Sequence, residues 1–310
     1  MRRVPELAAC LIATSAFAGD IAIVTCQPAD EVAVVDLAEG AQRALWDIPG
    51  KPAGVTIGAP GEVFVVSPEA KAVRRIEIAT GAVLGEVRLD GGPTGIAHDA
   101  ARGRLIVSDW FNARLWVLDA SSLALLETLE TGSSPAGIAL SPDGRYLATA
   151  EKDSDRVSIF DASSLEPLAR IAVGKHPYGL RFDPSGRLFV GNVGTSDVSV
   201  IDPASHRVLA TLPVGERPYG IAFAGGRAFV TNQYAGTISV IALDSLKTVA
   251  TLEAGEYPEG IDTLPDGSGV AFVNWFDNTL MTLDAQSLEL TATVDVCDGP
   301  RAFGTFLVRE

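Results

Sequence analysis

Side chains able to hold an anion, a proton or a sugar hydroxyl flank a set of prolines in the second half of the sequence. They are His176 and Tyr178 around Pro177, Arg217 and Tyr219 around Pro218, Tyr257 and Glu259 around Pro258, and Arg301 after Pro300. Such groups, if they converge on one cavity, form a polar site that suits a small anionic or sugar-like ligand. The equivalent positions in the first half are mostly small, for example Ala53, Gly92 and Ala136. Repeating structure alone therefore does not require the polar set.

Aromatic residues follow three apolar stretches that are predicted to be strands. Placed at the same end of the fold, they would extend the polar set into a recognition surface, since aromatic and Arg side chains anchor many interfaces. The alternative is ordinary packing against neighbouring loops, with the charged residues in surface ion pairs, and the sequence leaves both interpretations open. The residues predicted to bind a partner or ligand are Trp110, Phe111, His176, Tyr178, Arg217, Tyr219, Tyr234, Tyr257, Glu259, Trp275, Phe276 and Arg301.

Several common chemistries have no motif here. The sequence lacks a Cys-x-x-Cys-His haem attachment, a Gly-x-Ser-x-Gly elbow, a phosphate-binding Gly-rich loop and a His-Glu-x-x-His helix. Of its three histidines, His98 and His206 fall on the side opposite to His176 and are expected to be structural. Three histidines split between two faces cannot share one ion, so no metal is expected. Because the cofactor-binding motifs are missing, no cofactor is expected either.

The elements that must position these residues repeat along the chain. A Pro-x-Gly corner recurs at Pro52, Pro93, Pro135, Pro177, Pro218 and Pro258, with a degenerate copy at Pro300, at intervals of 40 to 42 residues. A short apolar stretch precedes each corner, and Pro-Asp-Gly and Asp-x-x-Ser turns separate the other alternating segments. A period near 40 with four strands per unit is typical of a propeller blade. The prediction is an all-β, seven-bladed β-propeller.

Strand direction then fixes which residues share a face. The Pro-x-Gly corners and the variable loops after the second strands lie on one face, here called the upper face, and the tight turns lie on the other. The chain begins at a second strand, residues 21–26, with no inner strand before it. Residues 302–308 are therefore expected to supply that strand and to close the ring, which removes the exposed sheet edge.

The unit also resembles the YVTN-type β-propeller repeat. Phe229-Val-Thr-Asn232 with Thr237-Ile-Ser-Val-Ile241, and Phe189-Val-Gly-Asn192 with Asp197-Val-Ser-Val-Ile-Asp202, are close to that pattern. The resemblance extends over nearly the whole of residues 19–310 and is weakest in residues 52–90. It implies the fold, and it implies an accessory role of the kind associated with periplasmic quinone-cofactor dehydrogenase pathways.

The leading functional expectation is a non-enzymatic propeller that binds a protein partner or a small ligand on its upper face. The alternative is a propeller-type lactonase, because His176, Arg217 and Glu259 resemble the His, Arg and Glu set of such enzymes. His176 would then act as general base on water attacking a lactone carbonyl, and Arg217 would stabilise the oxyanion. A subunit resembling an amine dehydrogenase heavy chain is disfavoured, since no cofactor-forming motif is present.

The first 18 residues have the pattern of a cleaved secretory signal. Arg2 and Arg3 precede an apolar segment, and Ala16-Phe17-Ala18 is a small-residue cleavage site. We therefore expect residues 19–310 to form a single propeller domain in the periplasm, as a monomer. Cys26 and Cys297 remain after cleavage, lie at the upper face of one blade, and enter an oxidising compartment. A Cys26–Cys297 disulfide is predicted.

Charge and hydropathy restrict the partners further. The chain carries 24 Lys and Arg against 39 Asp and Glu, a formal net charge of −15. Such an acidic surface repels nucleic-acid phosphates and anionic membranes. No apolar run after the signal is long enough to span a bilayer, so no membrane span is expected.

Overall fold

The computed structural model describes residues 19–309, which form seven blades around a central axis. The all-β, seven-bladed prediction is confirmed, whereas the signal predicted for residues 1–18 lies outside the described residues. The strands, blade by blade, are β1 (Asp20–Cys26), β2 (Glu31–Asp36), β3 (Ala41–Asp47); β4 (Gly54–Ile57), β5 (Glu62–Ser67), β6 (Ala72–Glu77), β7 (Val83–Arg88); β8 (Pro93–Asp99), β9 (Arg104–Asp109), β10 (Arg114–Asp119), β11 (Leu125–Glu130); β12 (Pro135–Leu140), β13 (Tyr146–Glu151), β14 (Arg156–Asp161), β15 (Pro167–Ala172); β16 (Pro177–Phe182), β17 (Leu188–Asn192), β18 (Asp197–Asp202), β19 (Arg207–Pro213); β20 (Pro218–Ala224), β21 (Arg227–Asn232), β22 (Thr237–Ala242), β23 (Lys247–Glu253); and β24 (Pro258–Thr263), β25 (Gly269–Asn274), β26 (Thr279–Asp284), β27 (Leu290–Asp295). Two short strands end the chain, β28 (Phe303–Gly304) and β29 (Leu307–Arg309), and a 3₁₀ turn spans Lys152–Ser154.

The middle strands of each blade are buried on both faces because neighbouring blades pack against each other. In β5 the run Val63 to Val66 is at most 1% exposed, and the second strands of the other blades show the same pattern. The outermost strands are largely exposed, as in β11 and β15. Continuous apolar runs in the sequence therefore mark second strands, whereas polar alternation marks the blade edges.

The glycine of each Pro-x-Gly corner marks a close approach between blades. A Cβ on Gly179 would overlap the carbonyl oxygen of Tyr219 in the next blade, and a Cβ on Gly260 would overlap that of Ala302. Because the inner strands converge at the axis, only a residue without a side chain fits there. The motif is thus a requirement of ring packing.

The last residues of the chain close the ring, but they do so in two separate steps. Leu307–Arg309 pairs antiparallel with Asp20–Ala22, which completes the first blade as expected. Phe303–Gly304 instead pairs in parallel with Gly54–Val55, the inner strand of the second blade. The expectation of one continuous strand over residues 302–308 was therefore wrong. Gly304, at φ 139°, provides the kink that divides the tail between two sheets.

An ion pair in the axial channel holds this closing segment. Asp262 of β24 accepts hydrogen bonds from the backbone N–H groups of Phe306 (2.9 Å) and Leu307 (3.1 Å). Its other oxygen accepts a bond of 2.7 Å from Arg181 of β16, which also donates to the Gly304 carbonyl. Blades five and seven and the tail are thereby joined across the axis.

The predicted disulfide is present. Cys26 ends β1 and bonds to Cys297 in the loop after β27, with their Cα atoms 5.7 Å apart. Both cysteines are buried. Within residues 19–309, no helix has the length and apolar character needed to cross a membrane.

Candidate functional site

A bowl of about 1060 Å³ occupies the upper face, and two rings of equivalent positions line it. The first residue after the second strand lines the bowl in all seven blades: Gln27, Pro68, Trp110, Lys152, Val193, Gln233 and Trp275. The residue after the corner proline lines it in six blades: Ala53, Thr94, Tyr178, Tyr219, Glu259 and Arg301. The repeat therefore sets the position of each side chain, and the residue type at that position sets its chemistry.

A backbone hydrogen bond fixes the position of the residue that follows the second strand. In every blade except that of Pro68, which has no N–H, the residue after the second strand donates to the carbonyl of the residue before the corner proline, as from Trp110 to Gly92 (2.9 Å) and from Gln233 to Arg217 (2.9 Å). The residue before the proline has a positive φ in several blades, including Lys51, Ser134, His176, Arg217 and Tyr257. Corners with small side chains and corners with polar side chains share this left-handed conformation. The conformation is therefore a feature of the repeat and not of the candidate site.

Three rings form the floor of the bowl and separate it from the axial channel. Tyr178 and Tyr219 have ring centroids 4.9 Å apart, and Phe303 lies 5.1 Å from Tyr178 and 5.5 Å from Tyr219. All three are buried, together with Ala136. Beneath them the channel encloses about 390 Å³ and is lined by His98 and Arg181, among others. Tyr178 lines the bowl, Phe303 lines the channel and Tyr219 lines both, so the three rings lie between the two cavities.

Arg301 lies at this floor and is held by hydrogen bonds from several blades. Its guanidinium donates to the hydroxyl of Tyr219 (3.0 Å), the hydroxyl of Tyr178 (3.2 Å) and the amide oxygen of Gln27 (2.7 Å). Its carbon lies 5.7 Å from the ring centroid of Trp275. Nearby charges, Glu259 first among them, keep the pKa of Arg301 well above its ordinary value despite its burial. The residue is a fixed positive charge.

Glu259 is the buried acid of the site, with 2% of its surface exposed. It accepts a hydrogen bond of 2.8 Å from the Gln233 amide, and its second oxygen lies 3.5 Å from Arg301 without forming a hydrogen bond. Removal from water raises the pKa of Glu259 to about 7, although Arg301, Gln233 and Tyr219 favour the ionised form. The Glu259 carboxyl group therefore changes its protonation state near neutral pH.

One wall of the bowl is built from stacked aromatic rings and an arginine. The Arg217 guanidinium lies 4.0 Å from the ring centroid of Tyr234. Tyr234 contacts Tyr257 at 5.6 Å between ring centroids, and Tyr257 contacts Phe276 at 5.2 Å. Burial raises the pKa of Tyr257, so its hydroxyl stays protonated at neutral pH. Tyr234 and Phe276 remain 52% and 63% exposed at the rim.

The opposite wall explains why some corners appeared featureless in the sequence. A Cβ on Gly92 would overlap the ring of Phe111, which covers this corner and is itself 77% exposed. Trp110 lies beside it, 6.0 Å from Tyr178 between ring centroids, with the Lys152 ammonium 5.4 Å from its ring. The glycine therefore accommodates a neighbouring aromatic side chain, so aromatic rings lie on both sides of the bowl.

Eleven of the twelve residues predicted for the site line the bowl, and His176 does not. Its backbone N–H donates to Asp155 (2.9 Å), and its exposed ring lies beside Gly194. Arg217 stacks on Tyr234, and Glu259 contacts Arg301. The trio His176, Arg217 and Glu259 therefore does not share one cavity, which separates the expected general base from the other two groups.

Sequence reasoning missed four residues that shape the bowl. Gln27 and Gln233 hold Arg301 and Glu259, Lys152 covers Trp110, and Phe303 completes the floor. Three of them occupy the ring of first residues after a second strand, in which only the aromatic members had been selected. Reading that position in every blade, whatever its residue type, would have found them.

Comparisons with known proteins agree with the fold. The family model described as "Lactonase, 7-bladed beta-propeller" matches residues 119–211, which include His176 and Tyr178 but not Arg217, Glu259 or Arg301. No curated protein matches the chain.

Solved structures similar to the chain include three with low sequence identity. Hydrazine synthase from Kuenenia stuttgartiensis is 17% identical, with a TM-score of 0.74 over 86% of this chain and 95% of that one. A functionally unknown protein from Desulfotomaculum acetoxidans is 12% identical, with a TM-score of 0.78 over 92% and 99%. Dihydro-heme d1 dehydrogenase NirN in complex with DHE is 15% identical, with a TM-score of 0.66 over 93% and 75%. At such identities the likeness supports the propeller fold alone.

Proposed function

We propose that this chain is a non-enzymatic β-propeller that binds a small ligand in the upper-face bowl. The observation that carries the proposal is the convergence of eight aromatic side chains around the Arg301–Glu259 pair. A concave, largely apolar cavity with a few fixed polar groups is the usual form of a small-molecule site. The volume of about 1060 Å³ suits a ligand of several rings.

Native mass spectrometry tests this proposal. The purified protein is incubated with the small-molecule fraction of a periplasmic extract, and bound masses are compared between wild type, Trp275→Ala and Leu209→Ala. Leu209 is 51% exposed on the outer strand β19 and serves as a matched apolar control. We expect adducts with wild type and with the control but not with Trp275→Ala. The same adducts in all three proteins would refute a bowl site.

A protein partner that covers the rim is the other form of this binding function. Phe111 and Phe276 are 77% and 63% exposed on the two walls, and exposed aromatic side chains often serve as anchors at interfaces. Pull-down from periplasmic extract with wild type, Phe276→Ala and Leu209→Ala separates the two forms. A partner lost only with Phe276→Ala would favour protein binding, and equal recoveries with all three would count against it.

A lactonase is the second candidate, and one specific observation favours it. The pKa of Glu259, near 7, is suitable for a general base at neutral pH, with Arg301 beside it to stabilise an oxyanion. Glu259 would then replace His176 as the base. Hydrolysis of a lactone panel by wild type and His176→Ala, but not by Glu259→Gln, would establish this activity. No hydrolysis by the wild type would exclude it for that panel.

We further propose export of a single domain, residues 19–310, to the periplasm as a monomer of the YVTN-type repeat family. The buried Cys26–Cys297 bond supports an oxidising compartment. An accessory role in a periplasmic oxidation pathway rests on the repeat resemblance. The amino terminus of the mature protein checks export: sequencing should start at Gly19, and an intact Met1 in the cytoplasm would refute it.

A further inference from the structure

The Arg217 side chain lacks an anionic partner although it belongs to a strongly acidic chain. Its guanidinium lies half-buried against Tyr234, and within residues 19–309 it makes no ion pair or side-chain hydrogen bond. Asp and Glu outnumber Lys and Arg by 39 to 24 in the sequence. Other cations of the upper face do find carboxylates, as Lys152 finds Asp153 and Lys175 finds Asp155. Arg217 is therefore available to an anion from outside the chain.

The contact between Arg217 and Tyr234 leaves the N–H donors of Arg217 available to a ligand. The Cζ of Arg217 lies 4.0 Å from the Tyr234 ring centroid, a cation–π contact that uses none of these donors, and the donors of a guanidinium lie in one plane as a fork. This planar fork matches a carboxylate, which it can bind through two parallel hydrogen bonds. The aromatic ring thus orients the cation without using its donors.

The charges lining the bowl leave one cation for an anion from outside. Of the three lining cations, Lys152 is paired with Asp153 and Arg301 with the buried Glu259, whereas Arg217 has no carboxylate partner within residues 19–309. The remaining lining carboxylate, Glu256, is exposed at the rim. In an otherwise acidic molecule, such an unpaired guanidinium attracts anionic ligands.

The rest of the lining determines the shape of the ligand. Eight aromatic side chains line the bowl, and two of them, Tyr178 and Tyr219, belong to its floor. Aromatic surfaces favour flat partners, which stack in offset or tilted arrangements. We propose that the ligand of the bowl is a planar aromatic carboxylate, recognised by stacking and by the Arg217 guanidinium. This inference rests on the proposed ligand-binding function and names its ligand class.

Isothermal titration calorimetry with three probes tests both parts of the inference. Naphthalene-2,6-dicarboxylate is planar and dianionic, naphthalene-2,6-dimethanol is planar and neutral, and trans-cyclohexane-1,4-dicarboxylate is dianionic without an aromatic ring. Hydrogen bonds to charged groups are strong, which favours the first probe over the diol, and aromatic rings stack on one another, which favours it over the cyclohexane dicarboxylate; we expect it to bind about tenfold or more tightly than either. Arg217→Ala should remove this advantage over the diol, whereas Lys175→Ala, an exposed cation outside the bowl, should keep it.

The outcomes separate this inference from the proposed function. Equal affinity for the dicarboxylate and the diol, or an unchanged dicarboxylate affinity in Arg217→Ala, would overturn the anionic ligand and leave a ligand-binding bowl. Equal affinity for the two dicarboxylates would overturn the planar ligand. Failure of all three probes, with extract adducts that still depend on Trp275, would overturn the inference alone. Failure of both experiments would overturn the inference and the proposed function together.

Discussion

At the scale of single residues, the site is organised around an ion pair between the buried Glu259 and the partly exposed Arg301. Arg301 donates hydrogen bonds to Tyr178, Tyr219 and Gln27, and it keeps its positive charge at neutral pH. One oxygen of Glu259 accepts a hydrogen bond, whereas the other is buried without a hydrogen-bond donor. The charge of Glu259 therefore depends on pH. The ion pair alone does not stabilise ionised Glu259 enough to offset its loss of water. The net charge at the floor therefore changes near neutral pH.

This difference predicts a pH-dependent stability that Glu259→Gln should abolish. The pKa of Glu259 is about 7 in the folded protein against an ordinary value of 4.5. Between these values the folded state holds a proton that the unfolded state has lost, so the free energy of unfolding falls as pH rises. The contribution lost by pH 8 is about 3 kcal/mol, since one pKa unit corresponds to 1.4 kcal/mol.

Urea unfolding at pH 5 and pH 8 measures this effect. Glu259→Gln should gain stability relative to wild type as pH rises, whatever its offset at pH 5. Glu256→Gln, which changes an exposed carboxylate at the same rim, is the matched control and should show little relative change. A constant difference between Glu259→Gln and wild type across this range would contradict the assigned protonation.

At the scale of elements, the closing segment depends on one carboxylate in the channel. Asp262→Ala removes the acceptor of two backbone N–H groups and leaves Arg181 without its carboxylate partner. Breaking a largely buried pair by removing one partner costs about 3 to 5 kcal/mol. We expect a loss of this size in the free energy of unfolding, measured by chemical denaturation.

Arg309→Ala provides the comparison for this prediction. Arg309 also belongs to the closing segment, but its ion pair with Asp20 is exposed, and such pairs contribute about 0 to 1 kcal/mol. A loss in Asp262→Ala no larger than that in Arg309→Ala would show that the channel contacts do not hold the ring closed.

The disulfide links the two ends of the chain at the same junction. It is expected to stabilise the fold mainly by restricting the unfolded chain. It joins residues 271 apart, and the loop-entropy relation gives about 5 kcal/mol as an upper limit for such a loop. The double variant Cys26→Ser/Cys297→Ser should therefore unfold at a clearly lower denaturant concentration than the oxidised wild type. Wild type treated with a reductant should approach the variant. Coincident unfolding curves for all three would show that the ring is held by its strands alone.

The elements also show which parts of the site the sequence could reveal. The recurring Pro-x-Gly corner predicted that Tyr178, Tyr219 and Glu259 share one face, and all three line the bowl, because most corners have the same backbone geometry. Pairings between blades, such as Gln233 with Glu259, were not predictable since they depend on how far neighbouring blades converge. The position of Phe303 depends on the kink at Gly304, which the strand pattern of the tail does not reveal.

At the scale of the whole molecule, the ring turns a one-dimensional repeat into a single concave site. All seven blades contribute lining residues to the bowl, so neither a single blade nor a local motif contains the chemistry. Period and strand count determined the architecture, because a blade must bury both faces against its neighbours. The sequence did not reveal that the His176 ring lies outside the bowl. A corner position fixes the backbone, whereas the direction of the side chain depends on its local loop.

The central claim is that ligands bind in the bowl above the Tyr178–Tyr219–Phe303 floor. A crystal structure of the protein with naphthalene-2,6-dicarboxylate tests it most directly. We expect density for the ring system among the aromatic side chains of the bowl, with a carboxylate within hydrogen-bond distance of the Arg217 guanidinium. Density only in the axial channel beside His98 and Arg181, or on the outer strands, would contradict the account.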